Sequence, residues 1–128
     1  MLTLINTNRM QPPIAPVGLD HVAAAVEEAG FDVDLLDLGL SGEEPETVLA
    51  RYFSRSNPQL IGLSFRNVDD CFWPGGSWYV PELAELIQRL RRHSDAPIVV
   101  GGVGYSIFAR DILSRCGADF GVHGDGEP

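Results

Sequence analysis

Apolar residues recur along this chain with two different periods. Short, near-continuous runs, "LTLIN" (2–6), "DVDLLDL" (32–38), "QLIGLSF" (59–65), "PIVVGG" (97–102) and "DFGVHG" (119–124), predict five strands. Runs with so little polar alternation fit parallel strands covered on both faces. Between them the apolar positions fall at helical spacing. A first helix, about 17–29, carries Leu19, Val22, Ala23 and Val26 on one stripe and stops at Gly30. A second, about 45–56, opens on Pro45 and Glu46 and turns Val48, Leu49, Tyr52 and Phe53 inward. The third, about 80–93, is the most regular. Leu83, Leu86, Ile87 and Leu90 form its stripe, with acids in the first turns and Arg91, Arg92 and His93 at the end, so both ends complement the helix dipole. A fourth, about 106–116, is expected to bury Phe108, Ile112, Leu113 and Cys116 before Gly117.

Strict alternation of strand and helix predicts an α/β fold: a doubly wound, flavodoxin-like (Rossmann-like) parallel sheet of five strands, order 2-1-3-4-5, with helices on both faces. Ligands of such sheets bind beyond the C-terminal strand ends, at the switch point between strands one and three. That rule directs attention to four loops. The loop after strand one, "NTNRMQPPIAPVG" (6–18), is long for such a junction and held extended by Pro12, Pro13 and Pro16. After strand three comes "RNVDDCFWPGGSWY" (66–79), with four aromatic residues. Strand four leads into "GGVGYS" (101–106), whose paired glycines suit a close approach to the backbone. Strand five ends in "GDGEP" (124–128).

The 128 residues suffice for one domain with a core, and 45% hydrophobic with 21% charged residues describes a globular chain. A formal charge of −9, with nine arginines and no lysine, offers no basic patch and argues against a nucleic-acid partner. No apolar run is long enough for a membrane span, and no signal-peptide pattern opens the chain. Cys71 and Cys116 lack metal or redox spacing, which points to reduced thiols and a cytoplasmic protein.

Three chemical readings compete for the loops. "GGVG" matches neither a Walker loop nor G-x-G-x-x-G, so nucleotide binding is weakly supported. The aromatic loop suits a partner surface or a local cap. Asp69–Asp70 stands where a receiver domain carries its phosphoacceptor, but Asn6, Thr7 and Asn8 replace the required acids and no lysine exists. That reading fails.

"GLS" closing strand three and "GG" closing strand four resemble two of three signatures of cobalamin-binding domains. The third, Asp-x-His-x-x-Gly with a cobalt-ligating histidine, is missing after strand one. With Pro12, Pro13, Pro16–Gly18, Arg66–Asp69, Gly101–Ser106 and Gly124–Glu127, the whole chain resembles the N-terminal domains of cobalamin-dependent radical S-adenosylmethionine enzymes, the tryptophan-methylating subgroup among them. The resemblance implies cobalamin as cofactor. It also implies a radical domain C-terminal to Pro128 in the same chain, bringing a [4Fe-4S] cluster and S-adenosylmethionine.

It further implies cofactor-binding roles. Ser64 would contact the nucleotide tail and Gly101–Gly102 would let it pass. Asn6, Asn8, Pro13, Asn67, Val68, Val103, Gly104, Gly124, Gly126 and Glu127 would shape the surroundings. Arg66 would lie under cobalt without bonding it, because a guanidinium has no lone pair to give. A nearby positive charge and a missing ligand favour electron-rich cobalt. No residue is expected to ligate metal. The competing reading pairs Arg66 with Asp69 or Asp70 on the loop. At the level of the domain, the alternative is a non-catalytic flavodoxin-like module that binds a nucleotide or protein through its aromatic loop.

Overall fold

The computed structural model describes residues 1–126. Its elements are β1 (Leu2–Asn6), α1 (Val17–Glu28), β2 (Val33–Asp37), α2 (Pro45–Phe53), β3 (Leu60–Ser64), α3 (Val80–His93), β4 (Ile98–Gly101), α4 (Val103–Ile107), α5 (Ala109–Cys116) and β5 (Phe120–Gly121). All strand pairs are parallel, in the order β2-β1-β3-β4-β5. Both the predicted architecture and strand order are therefore observed.

Register explains how the two faces differ. Alternate residues of a strand point to opposite faces, and partners across a parallel ladder share a face. One face collects Ile5, Ile61, Leu63, Ile98 and Val100, all buried against Val48 and Leu49 of α2, Leu83, Ile87 and Leu90 of α3, and Ile112 and Cys116 of α5. The other face carries the row Leu35–Leu4–Gly62–Val99–Phe120 and, nearer the C-terminal ends, Asp37–Asn6–Ser64–Gly101. Helix α1 covers only the β1–β2 half of that face, packing Leu19 and Ala23 on Leu4 with Val22 and Val33 alongside. Over β3–β5 the same face keeps glycines and stays open.

The α3 stripe and its predicted ends are observed, with Pro81 in the first turn and three basic residues in the last. A staple ties the start of β4 to the end of α3 and the approach to β5: Asp119 Oδ2 accepts both the Ile98 N–H and the Arg91 guanidinium, each at 2.7 Å. Beneath α2, Tyr52 donates to Asp34 Oδ2 (2.9 Å) and so accepts from Thr3 (2.7 Å), which satisfies a fully buried hydroxyl.

The fourth helix departs from expectation. It begins at Val103 and breaks at Phe108, where φ −134° and ψ 45° leave the helical region. Phe108 is not buried. Its ring turns outward to Trp78, with centroids 6.4 Å apart, and Tyr105 takes the core position instead. Both cysteines are free thiols, Cys71 exposed and Cys116 buried. Among the described residues no helix is long and apolar enough to cross a membrane.

Candidate cofactor site

Two cavities flank the switch point, and Asn8 and Arg66 line both. The larger, about 630 Å³, lies on the open half of the α1 face. Its floor is Leu4, Gly62, Ser64, Val99 and Gly101, its sides the start of α1 and the loops after β4 and β5. Small residues create it. A side chain on Gly62 would rise from the floor into the Leu4 methyl, its Cβ only 2.5 Å from Leu4 Cδ2. Gly101 would push toward Val122.

Glycine is required at Gly102 for a different reason. Its φ is +100°, and a Cβ there would stand 2.8 Å from the Phe65 carbonyl oxygen. Helix α4 thus starts in close contact with the end of β3, an approach extended by the Tyr105 N–H donating to Phe65 O (3.2 Å). Ser106 completes the wall. Its hydroxyl donates to Gly102 O and accepts from Gly124 N–H, both at 3.0 Å, tying the β4 loop to the β5 loop.

Of the residues singled out from sequence, Asn6, Asn8, Ser64, Arg66, Gly101, Gly102, Val103, Gly124 and Gly126 line this cavity. Four do not. Asn67 faces the second cavity, its amide directed at Met10 Sδ (2.7 Å). Val68 packs against the core below α3. Gly104 lets α4 approach the Arg66–Asn67 backbone, where a Cβ would lie 2.6 Å from Arg66 O. Pro13 is exposed on the β1–α1 loop, away from the lining. Glu127 lies outside the described residues. The apolar lining, Leu4, Val22, Val99 and Val122, escaped sequence reading because these positions look like ordinary core. Ser106 stood in the "GGVGYS" stretch without a role.

Arg66 is exposed at the end of β3 and, among the described residues, has no ion-pair or hydrogen-bond partner. The carboxylates that the competing reading paired with it accept backbone N–H groups of their own loop instead. Asp69 accepts the Cys71 N–H (2.9 Å) and Asp70 the Phe72 N–H (3.0 Å). The Phe72 and Ser77 backbone hydrogen bonds hold the Asp70 carboxyl below the usual range. The Asp69 side chain, by contrast, pushes the Cys71 thiol up and away from reactivity.

The second cavity, about 390 Å³, opens on the α2–α3 side between Thr7–Met10, Glu44–Pro45, Phe65–Asn67 and the first turns of α3. Its rim mixes Arg9, Arg66 and Arg89 with Glu44, Glu82 and Glu85. Burial first, then the Asp70 and Glu82 charges, push the Tyr79 phenol up, so it remains a neutral donor there. None of the three histidines lines either cavity: His21 and His123 are exposed elsewhere and His93 pairs with Glu46 (2.8 Å). Among the described residues no group of three or more His, Cys, Asp or Glu side chains is placed to hold a metal ion.

The B12 binding domain family matches residues 4–128. The chain belongs to that family. This B12-binding domain is 36% identical over 126 residues to the tryptophan 2-C-methyltransferase of Streptomyces laurentii, covering 98% of the chain but 21% of the relative. It matches the radical S-adenosylmethionine methyltransferase TsrM of Kitasatospora setae, solved with tryptophan and an S-adenosylmethionine analogue, at TM-score 0.94 and 38% identity. That match covers 98% of this chain and 23% of the other. TsrM solved with cobalamin and a [4Fe-4S] cluster matches at TM-score 0.90 and 37% identity, over 94% and 21% of the two chains. The B12-binding domain therefore spans about a fifth of the length of these relatives.

Proposed function

We propose that the larger cavity takes the nucleotide tail of cobalamin, leaving the corrin at the C-terminal sheet edge, within a longer radical S-adenosylmethionine methyltransferase. The observation that carries this reading is the glycine-floored cavity ending at an arginine that has no ion-pair partner among the described residues. Its size and shape fit the group: Gly62 and Gly101 leave a trough that any larger residue would fill, with apolar walls for an aromatic base and polar groups at the mouth.

Ser64 and the Gly101–Gly102 backbone would hold the tail, with Ser106 and Gly124 keeping the two flanking loops together. Asn6 is nearly buried and spends its amide oxygen on the Asn8 N–H (3.2 Å), so its amino group remains to donate. Asn8, Asn67, Gly126 and Val103 would border the corrin's amide fringe. When bound, cobalamin supplies a cobalt centre that can carry a methyl group between donor and acceptor. Arg66 contributes a fixed positive charge and hydrogen-bond donors but no lone pair. Among the described residues no histidine lines either cavity, which supports a cobalt without a nitrogen ligand from this domain. The lower position is therefore proposed to be ligand-free.

Reconstituted protein is expected to retain cobalamin, orange-red and at one per chain, through a desalting column. In the cob(II)alamin state its electron paramagnetic resonance spectrum should lack axial nitrogen coupling, and Arg66→His should introduce it. Colourless protein overturns the cofactor assignment. Nitrogen coupling in the unaltered protein overturns the ligand-free proposal alone.

A further inference from the structure

We propose that Phe72, Trp73, Trp78 and Phe108 form a docking surface for the cluster-bearing portion of the same polypeptide. The inference rests on the reading of this chain as the cofactor domain of a longer enzyme.

Trp73 is 91% exposed and Phe72 71%, and Trp78 and Phe108 are about half exposed while packing on each other. So much exposed aromatic surface, on one loop and the residue packed against it, marks an interaction site in a folded protein. The loop that presents it is built, not slack. Asp69 and Asp70 anchor the Cys71 and Phe72 amides, Asp70 N–H donates to Ser77 O (3.2 Å), and Tyr79 N–H to Val68 O (2.8 Å) closes the base. Asp69 and Trp78 pair as an antiparallel bridge across it. Ordering a loop before contact lowers the entropic cost of docking.

Geometry identifies the occupant. None of the four aromatic residues lines either cavity, so the surface is not consumed by the pocket proposed for the nucleotide tail. It follows β3 at the C-terminal sheet edge, the same edge from which Val122–Gly126 leave β5 toward whatever follows. In the relatives roughly four-fifths of the polypeptide lies outside this region, and the solved one carries a [4Fe-4S] cluster. A cluster-bearing portion that must reach the cofactor would meet this edge, and the aromatic shelf stands beside it.

The test is hydroxyl-radical footprinting with mass spectrometry on the full-length chain, with and without cobalamin and over a dilution series. Trp73 is expected to be protected at least roughly tenfold relative to free tryptophan, with or without cobalamin and at every concentration. Trp73→Asp, at a position too exposed to matter for folding, should raise labelling of Trp78 and Phe108 while cobalamin is still retained. Labelling of Trp73 at the rate of free tryptophan overturns the proposal. Protection that appears only with cobalamin overturns it in favour of a corrin cover, and protection lost on dilution in favour of a second copy of the chain. Loss of cobalamin from the unaltered chain would instead count against the cofactor assignment, which the colour of the same sample reports separately.

Discussion

Arg66 and Gly102 both line the larger cavity and respond differently to substitution. Arg66 is exposed and has no partner among the described residues, so Arg66→Ala is expected to change the unfolding free energy by less than about 0.5 kcal/mol in a urea titration, whatever it does to the cofactor. Gly102 occupies φ +100° with the Phe65 carbonyl beside it. Gly102→Ala should cost about 1–3 kcal/mol in the same titration, because an L side chain is strained there before any clash is counted. Asp119 gives a pH signature. The Ile98 N–H and then the Arg91 guanidinium hold its carboxyl below the ordinary range. A carboxyl depressed on folding contributes stability above its unfolded pKa and loses it as pH falls through the folded one. Asp119→Asn should therefore flatten the loss of stability below about pH 4, measured by urea unfolding at successive pH values. Glu46, held down first by its hydrogen bond to His93, adds to the same limb.

At the scale of elements, what could be read in advance followed from periodicity. The α3 boundaries were legible because a four-residue apolar stripe, a proline at the start and basic residues at the end all agree. Strand order was legible because right-handed crossovers leave few choices. The α4–α5 segment was not. Tyr105 buries its ring and Phe108 turns out to Trp78, a choice set by a loop about thirty residues earlier that no local pattern encodes. The site divides the same way. Glycines and polar residues at strand ends announced themselves, whereas Leu4, Val99 and Val122 became cavity wall only because α1 covers half a sheet face. The second cavity, assembled from segments far apart in the chain, left no mark as a cavity in any one of them. Gly104 shows how an element positions the site from outside. Gly104→Ala would press α4 against the Arg66 carbonyl. It should weaken cobalamin retention, read as colour surviving a desalting column, although Gly104 itself lines no cavity.

Across the whole molecule, one asymmetry organises everything: α2, α3 and α5 seal one face of the sheet, while α1 seals half of the other. The remaining half is floored by Gly62 and Gly101 and opens at the switch point, where doubly wound sheets place their ligands. We propose that the tail of cobalamin fills this trough. It is tested most directly by comparing affinities for cobalamin and for cobinamide, the same corrin without its nucleotide tail, in the unaltered protein and in Gly101→Leu. The unaltered protein should bind cobalamin at least about tenfold more tightly than cobinamide, and Gly101→Leu should abolish the difference. Equal affinities in the unaltered protein, or a preference that survives Gly101→Leu, would contradict it.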